Sequence, residues 1–398
     1  MKPLLQTPGV AGPFASSLIG RIPVTAIGLL LVLHVEDLTG RFAVAGASAA
    51  CFSLGLSVSA PVFGRLIDRR GQVTVVLAGA AVVTVALSAI AFLPAGAPAG
   101  AIAALAAVAG VAVPPLGSCL RALWVDAIDA DRRHAAFAID SAATELTYFI
   151  GPVVLAGAIG GWSTRTAIAT SAAMFAIGGV AYTSRPAVRA WRPGERHPSL
   201  LGPLSAPAVR SLLGMLAFTG LCFGAVEVGV AAVAERAGVE GAAGPLLGAW
   251  AVGSIVGAIV TARAGAPRDP ARRVVALLAL LALAHVPLVA TGEPLLLAPL
   301  LVLAGGSIAP ALSTIFAVLG YAAPPGTVTE AFTWATTAIG GGIAAGAALG
   351  GAVAEAGHAA PFALAAGAGL TSACFAVLWR PVVAAGAQAQ TMETADVA

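Results

Sequence analysis

The chain has 398 residues, 59% of them hydrophobic and only 10% charged, with 48 glycines and a mean hydropathy of +0.95. That much apolar surface exceeds what a soluble core can bury, so a soluble globular domain is excluded in favour of a polytopic membrane protein. The net charge of +3 is small and its basic residues are scattered over many loops, which argues against a nucleic-acid binder.

Twelve apolar runs follow one another along the chain, each of a length suited to crossing a bilayer as a helix of about 20 residues. The first, 13–35, carries Arg21 eight residues in, roughly 12 Å deep at about 1.5 Å per residue. It is too long for a signal h-region and has only Lys2 ahead of it, so no cleavable leader is expected. Runs 42–63 and 73–94 flank a short polar stretch, Gly64 to Gln72. Run 98–120 contains Pro114-Pro115, and runs 135–158 and 165–184 complete a first set of six. Residues 185–209 then form the longest polar interruption, with Pro186, Pro193, Pro198, Pro203 and Pro207 in it, and read as a linker between two units. The second set of six comprises 210–234, 243–262, 274–291, 294–320, 330–353 and 359–379, and residues 381–398 form a tail. Paired prolines and Pro310 remove backbone donors in mid-run, which predicts kinks in the fourth and tenth runs. Cys51, Cys119, Cys222 and Cys374 all fall inside apolar runs without metal-ligand spacing, so they read as small buried side chains.

Charge sets the orientation. With the amino terminus placed inside, the inner segments hold 17 Lys and Arg residues and the outer loops only Arg41, Arg165 and Arg236. Both termini are therefore expected in the cytoplasm, in a plasma (inner) membrane protein. A shift of 201 residues superimposes Gly64 on Gly265, Asp68 on Asp269 and Val73 on Val274, as a duplicated six-helix unit would, although Pro270 and Arg272 replace Arg69 and Gly71. Glycines recur every four residues at Gly342, Gly346 and Gly350, and again at Gly253 and Gly257. Such faces let helices approach closely, either as static packing or where two bundles slide on each other.

The stretch between the second and third runs, Gly64-Arg65-Leu66-Ile67-Asp68-Arg69-Arg70-Gly71-Gln72, packs four charges into six residues. It resembles the G-x-x-x-D-R-x-G-[RQ] signature between helices 2 and 3 of the major facilitator superfamily, through Gly64, Asp68, Arg69, Gly71 and Gln72. The resemblance implies an all-α fold of twelve transmembrane helices in two pseudo-symmetric six-helix bundles, working by alternating access. In it the signature loop latches onto neighbouring helix ends in one conformation. Gly151-Pro152 is similar to the core of a fifth-helix motif of the superfamily's proton-coupled exporters, but Val153-Val154-Leu155-Ala156-Gly157 follows where the full pattern has two residues and a glycine pair.

Ionisable side chains inside apolar runs are costly and are functional candidates for that reason. Four are proton-coupling candidates: Arg21, Asp140, Glu145 and Glu227. Asp140, Thr144 and Tyr148 share a helical face at four-residue spacing, which offers Thr144 and Tyr148 as substrate-cavity groups. Arg21 is expected to pair with Glu145, fixing run 1 against run 5. Asp140 either joins that wall or reaches the cytoplasmic surface, and Glu227 either faces a cavity beside Gly224 and Gly229 or reaches the outer interface. His285, alone on an apolar run, reads as a packing residue.

No phosphate loop, metal cluster or nucleophile–histidine–acid set is present in the sequence, so neither an enzyme nor a cofactor is expected, and the proton is the coupling ion. The combined expectation is a proton-coupled exporter of small, fairly hydrophobic compounds, acting as a monomer in the lipid bilayer. The alternatives are a proton-coupled importer of a sugar, amino acid or organic anion and, further off, a transporter-like membrane sensor or assembly partner without flux. Few polar side chains in runs 1, 4, 7 and 10 favour the apolar substrate.

Overall fold

In a computed structural model, which describes residues 9–155, 163–194, 199–265 and 267–395, every regular element is helical among the described residues. Lys2, Arg196 and the Ala156-Gly157 end of the fifth-run motif lie outside them. Helices are what apolar runs must form in lipid, where each backbone donor and acceptor has to be satisfied within its own segment. The first half comprises α1 (Ala11–Thr39), α2 (Phe42–Arg70), α3 (Gln72–Ala91), α4 (Ala99–Ala112), α5 (Leu116–Ala127), α6 (Ala130–Leu155) and α7 (Thr164–Thr183). After a short α8 (Pro186–Ala190), the second half comprises α9 (Pro207–Arg236), α10 (Ala243–Ala264), α11 (Pro270–His285), α12 (Pro294–Gly305), α13 (Ile308–Ala322), α14 (Val328–Ala354) and α15 (Ala359–Ala395). Eleven of these helices or helix pairs are long and apolar enough to cross a membrane among the described residues. The 26-residue α6, which carries Asp140 and Glu145, is a twelfth of sufficient length.

Both expected kinks are complete breaks. The helix stops at Ala112 and restarts at Leu116, after Pro114-Pro115, so α4 and α5 form one interrupted span. The tenth run breaks at Gly306-Ser307, which leaves Pro310 in the first turn of α13, where its missing donor costs nothing. The last helix runs on through Pro381 to Ala395.

Packing is denser within each half than between them. In the first half α1 lies against α2, α6 and α7, and α4 against α2 and α3. In the second, α9 packs on α14 and α15, α10 on α12, and α11 on α15. The glycine faces belong to this internal packing. Gly342 and Gly346 sit on the backbone of Ala217 and Leu221 in α9, and Gly253 and Gly257 on Val302 and Gly306. Of the two readings open from the sequence, these contacts correspond to static packing. His285 fits its packing role: it is fully buried, with its Nδ1 against the Leu281 carbonyl and its ring edge-on to Trp250 at 6.0 Å.

Because successive spans run antiparallel, alternate helix ends gather into two ends of the molecule. The end holding Arg65, Arg69, Arg70, Arg133, Arg189, Arg272 and Arg273 is called the basic end here, and the opposite one the far end. The two halves meet toward the basic end, where α2 crosses α14, α6 meets α10 and α13, and α5 meets α14. Side chains confirm the seal: Phe137 stacks near Phe332 at 5.8 Å, Arg133 lies 5.2 Å over Tyr321, and Ala138 packs with Ala258 and Ala309. Among the described residues, polar contacts at the far end stay within one half: His34 bonds Thr164 and the Ile90 carbonyl, and Arg236 bonds the Ala354 carbonyl.

Candidate functional site

Two clusters hold the predicted residues. The first is the polar stretch at the end of α2. Asp68 is buried, and its two oxygens accept the backbone N–H groups of Thr329 (3.0 Å) and Glu330 (2.8 Å) in the first turn of α14. That turn has no side-chain cap of its own: the Thr327 hydroxyl donates to the Pro324 carbonyl and accepts from none of the turn's N–H groups. A carboxylate from the first half thus caps a helix of the second, at the positive end of its dipole. Arg65 adds a two-pronged pair to Glu330, Nε to Oε2 at 3.0 Å and Nη2 to Oε1 at 2.6 Å. Gly64 makes room for this approach, because a side chain there would strike Thr333 and the Glu330 backbone.

The remaining signature residues serve the first half. Gly71 reverses the chain at φ +88°, a conformation that favours glycine. Buried Gln72 donates to the Cys119 carbonyl (3.0 Å) and accepts from the Tyr182 hydroxyl (2.9 Å), which pins the start of α3 to α5 and α7. Arg69 is exposed at the basic end. The repeat-related Asp269 behaves differently: it caps its own helix α11 through the Arg272 N–H and pairs with Arg380 at 3.0 Å, so it makes no bridge of the Asp68 kind. The Arg272 backbone N–H, followed by the Arg380 side chain, holds its carboxyl below the usual carboxylate range.

The second cluster lies in the middle of the helices. Asp140 is fully buried between two arginines, with Oδ1 on Arg21 Nη1 at 2.6 Å and Oδ2 on Arg121 Nε at 2.7 Å. Arg21 also reaches the Thr144 hydroxyl, which donates to the Asp140 carbonyl one turn back. The expected Arg21–Glu145 pair is therefore not formed, and Asp140 does not reach the surface. The helix explains both: Asp140 and Thr144 lie four residues apart on the face toward α1, while Glu145 is turned about 100° away from Thr144.

Glu145 instead comes within electrostatic reach of Glu227 on α9, a carboxylate of the other half. Glu227 and Tyr148 are exposed and Glu145 is half-buried, so these groups border open space between the halves. Tyr148 lies within electrostatic reach of both glutamates and of both arginines, and so joins the two sets of charges.

Sequence reasoning missed Arg121 and Glu330. By apolar composition the fourth run ends at 120 and leaves Arg121 a loop cation, whereas α5 continues to Ala127 and buries it. The apolar Ala122-Leu123-Trp124-Val125 stretch that follows was the available signal. The guanidinium of Arg121 lies 4.0 Å over the ring of Phe316 in the second half.

A sequence profile of the Major Facilitator Superfamily matches residues 13–327. The chain belongs to the Major Facilitator Superfamily. Its fold is that of the superfamily's transporters, as solved structures show at low identity. The human organic anion transporter MFSD10 (TETRAN) superimposes with a TM-score of 0.71 at 17% identity, over 92% of this chain and 98% of that one. A bacterial homologue of the iron transporter ferroportin, in an outward-facing state with soaked iron, gives 0.71 at 14% identity over 93% and 99%. The same homologue in an outward-facing state gives 0.71 at 14% over 93% and 98%. No curated protein matches this superfamily member in sequence.

Proposed function

We propose that this transporter is a proton-coupled exporter of small, fairly hydrophobic compounds, working by alternating access as a monomer in the plasma (inner) membrane with both termini cytoplasmic. On that orientation the basic end faces the cytoplasm, so the sealed basic end makes this an outward-facing conformation. The observation that carries the proposal is that Glu145 and Glu227, from opposite halves, lie within electrostatic reach of each other. Two carboxylates brought together as the halves close repel each other unless a proton sits between them. Proton uptake from outside would let the far end close, and proton loss toward the cytoplasm would return the cycle, with substrate leaving on the opposite stroke.

The test is flux in proteoliposomes, driven by a pH gradient and compared with exchange at equal pH. Glu227→Gln should abolish the response to the gradient and retain exchange. Glu145→Gln should do the same, because Arg21 keeps its partner Asp140 when Glu145 is neutralised. Full gradient-driven flux in both variants would leave the two carboxylates without a coupling role.

A further inference from the structure

We infer that the Arg21–Asp140–Arg121 cluster is an anion subsite, and that the group it recognises on the transported compound is a single carboxylate attached to an apolar body. The inference rests on the transporter reading above and adds the substrate's charge. Its first ground is a charge count. Two guanidiniums share one carboxylate, and the side chains of Arg21, Arg121 and Asp140 are 11%, 7% and 0% exposed. The cluster carries one uncompensated positive charge inside the membrane span. Neither Glu145 nor Glu227 forms an ion pair with it among the described residues.

The second ground is the hydrogen-bond inventory of Arg121. Its Nε serves Asp140 and its flat face rests on Phe316, while its two terminal nitrogens make no hydrogen bond among the described residues. A guanidinium has five N–H donors in a fixed fork, so the two open terminal nitrogens of Arg121 can receive an acceptor that arrives beside them. A carboxylate matches the spacing of that fork with two parallel bonds. The excess of one charge selects a monoanion over a dianion, and it repels amines. Phe316 beside the fork suits an apolar body over a polyhydroxylated one. Tyr148, exposed and within electrostatic reach of both arginines, lies on the approach from the open space between the halves.

The test is thermal stabilisation of the full-length purified protein by a panel of aromatic and aliphatic monocarboxylates. Each is compared with its amide and its ammonium counterpart, and with chloride at the same ionic strength. Carboxylates should stabilise the wild type where their amide and ammonium partners do not. Arg121→Gln should weaken the apparent affinity about tenfold or more, as loss of a charge-assisted fork predicts, and Arg121→Lys should keep part of it. Asp140→Asn raises the excess charge and should tighten carboxylate binding, the opposite sign from the loss that a merely structural pair would give. Stabilisation by amides or ammonium compounds equal to that by carboxylates, the same effect from chloride alone, an unchanged response in Arg121→Gln, or no response to any panel member would each overturn the assignment. The measurement needs no proton gradient, so it can succeed where the proton-coupling test fails, and the reverse.

Discussion

Replacing Asp68 with asparagine keeps the size of the side chain and removes its charge and one of its two acceptor atoms. The amide can take only one of the two N–H groups that Asp68 now holds, and its own NH₂ faces the other. The sealed basic end should lose part of its stability, and an equilibrium between two states moves tenfold for about 1.4 kcal/mol. Strongly reduced flux is expected, with folding and substrate binding largely intact, as read by transport assay beside a thermal melt. Wild-type flux would reduce the loop to a topological signal. At this scale Asp68, Gly71 and Gln72 were legible because each is the polar or glycine exception in an apolar chain. Arg121 and Glu330 were not, since a charge near the end of an apolar run looks the same whether the helix stops there or carries it into the core.

Helix α14 shows how much one element can be asked to do. One face lays Gly342 and Gly346 on the α9 backbone, and its first turn receives a cap from the other half. Gly346→Val adds a Cβ carrying two methyl groups where the Cβ alone would already strike the Leu221 backbone. Overpacking of this kind costs about 1–3 kcal/mol. The expected outcome is a lowered melting temperature and less monodisperse protein on size-exclusion chromatography, in contrast to Asp68→Asn, which should melt near the wild type. The four-residue spacing of the glycines was plain from the sequence, but their partner was not, because spacing defines a face and says nothing about which helix meets it. The breaks at Pro114-Pro115 and before Pro310 were legible for a simpler reason: a missing N–H acts on its own helix, whatever packs against it.

For the whole molecule, hydropathy and the distribution of arginine carried most of the architecture, since lipid leaves the backbone few alternatives to a helix. Spans, order and the two-half arrangement follow from local composition. The nearness of Glu145 to Glu227 does not, because it depends on where one half comes to rest against the other. Orientation remains the reading to test: single cysteines at Pro193 and Ala387 in a cysteine-free background should react only with reagent on the cytoplasmic side. Labelling of either by an impermeant reagent outside intact cells would invert the molecule.

The segment joining the halves has a consequence of length. Its Trp191 is held at 2.8 Å by Asp126 of the first half, and its Gly202 lies against the Glu330 carboxylate of the second. The ten residues between them, 192–201, could reach about 35 Å if drawn straight. That reach is an upper bound on how far Trp191 and Gly202 can part while both keep their contacts. What the segment adds is a turn set beside the same glutamate that Arg65 grips, so the connection that keeps the halves in one chain also takes part in holding them together.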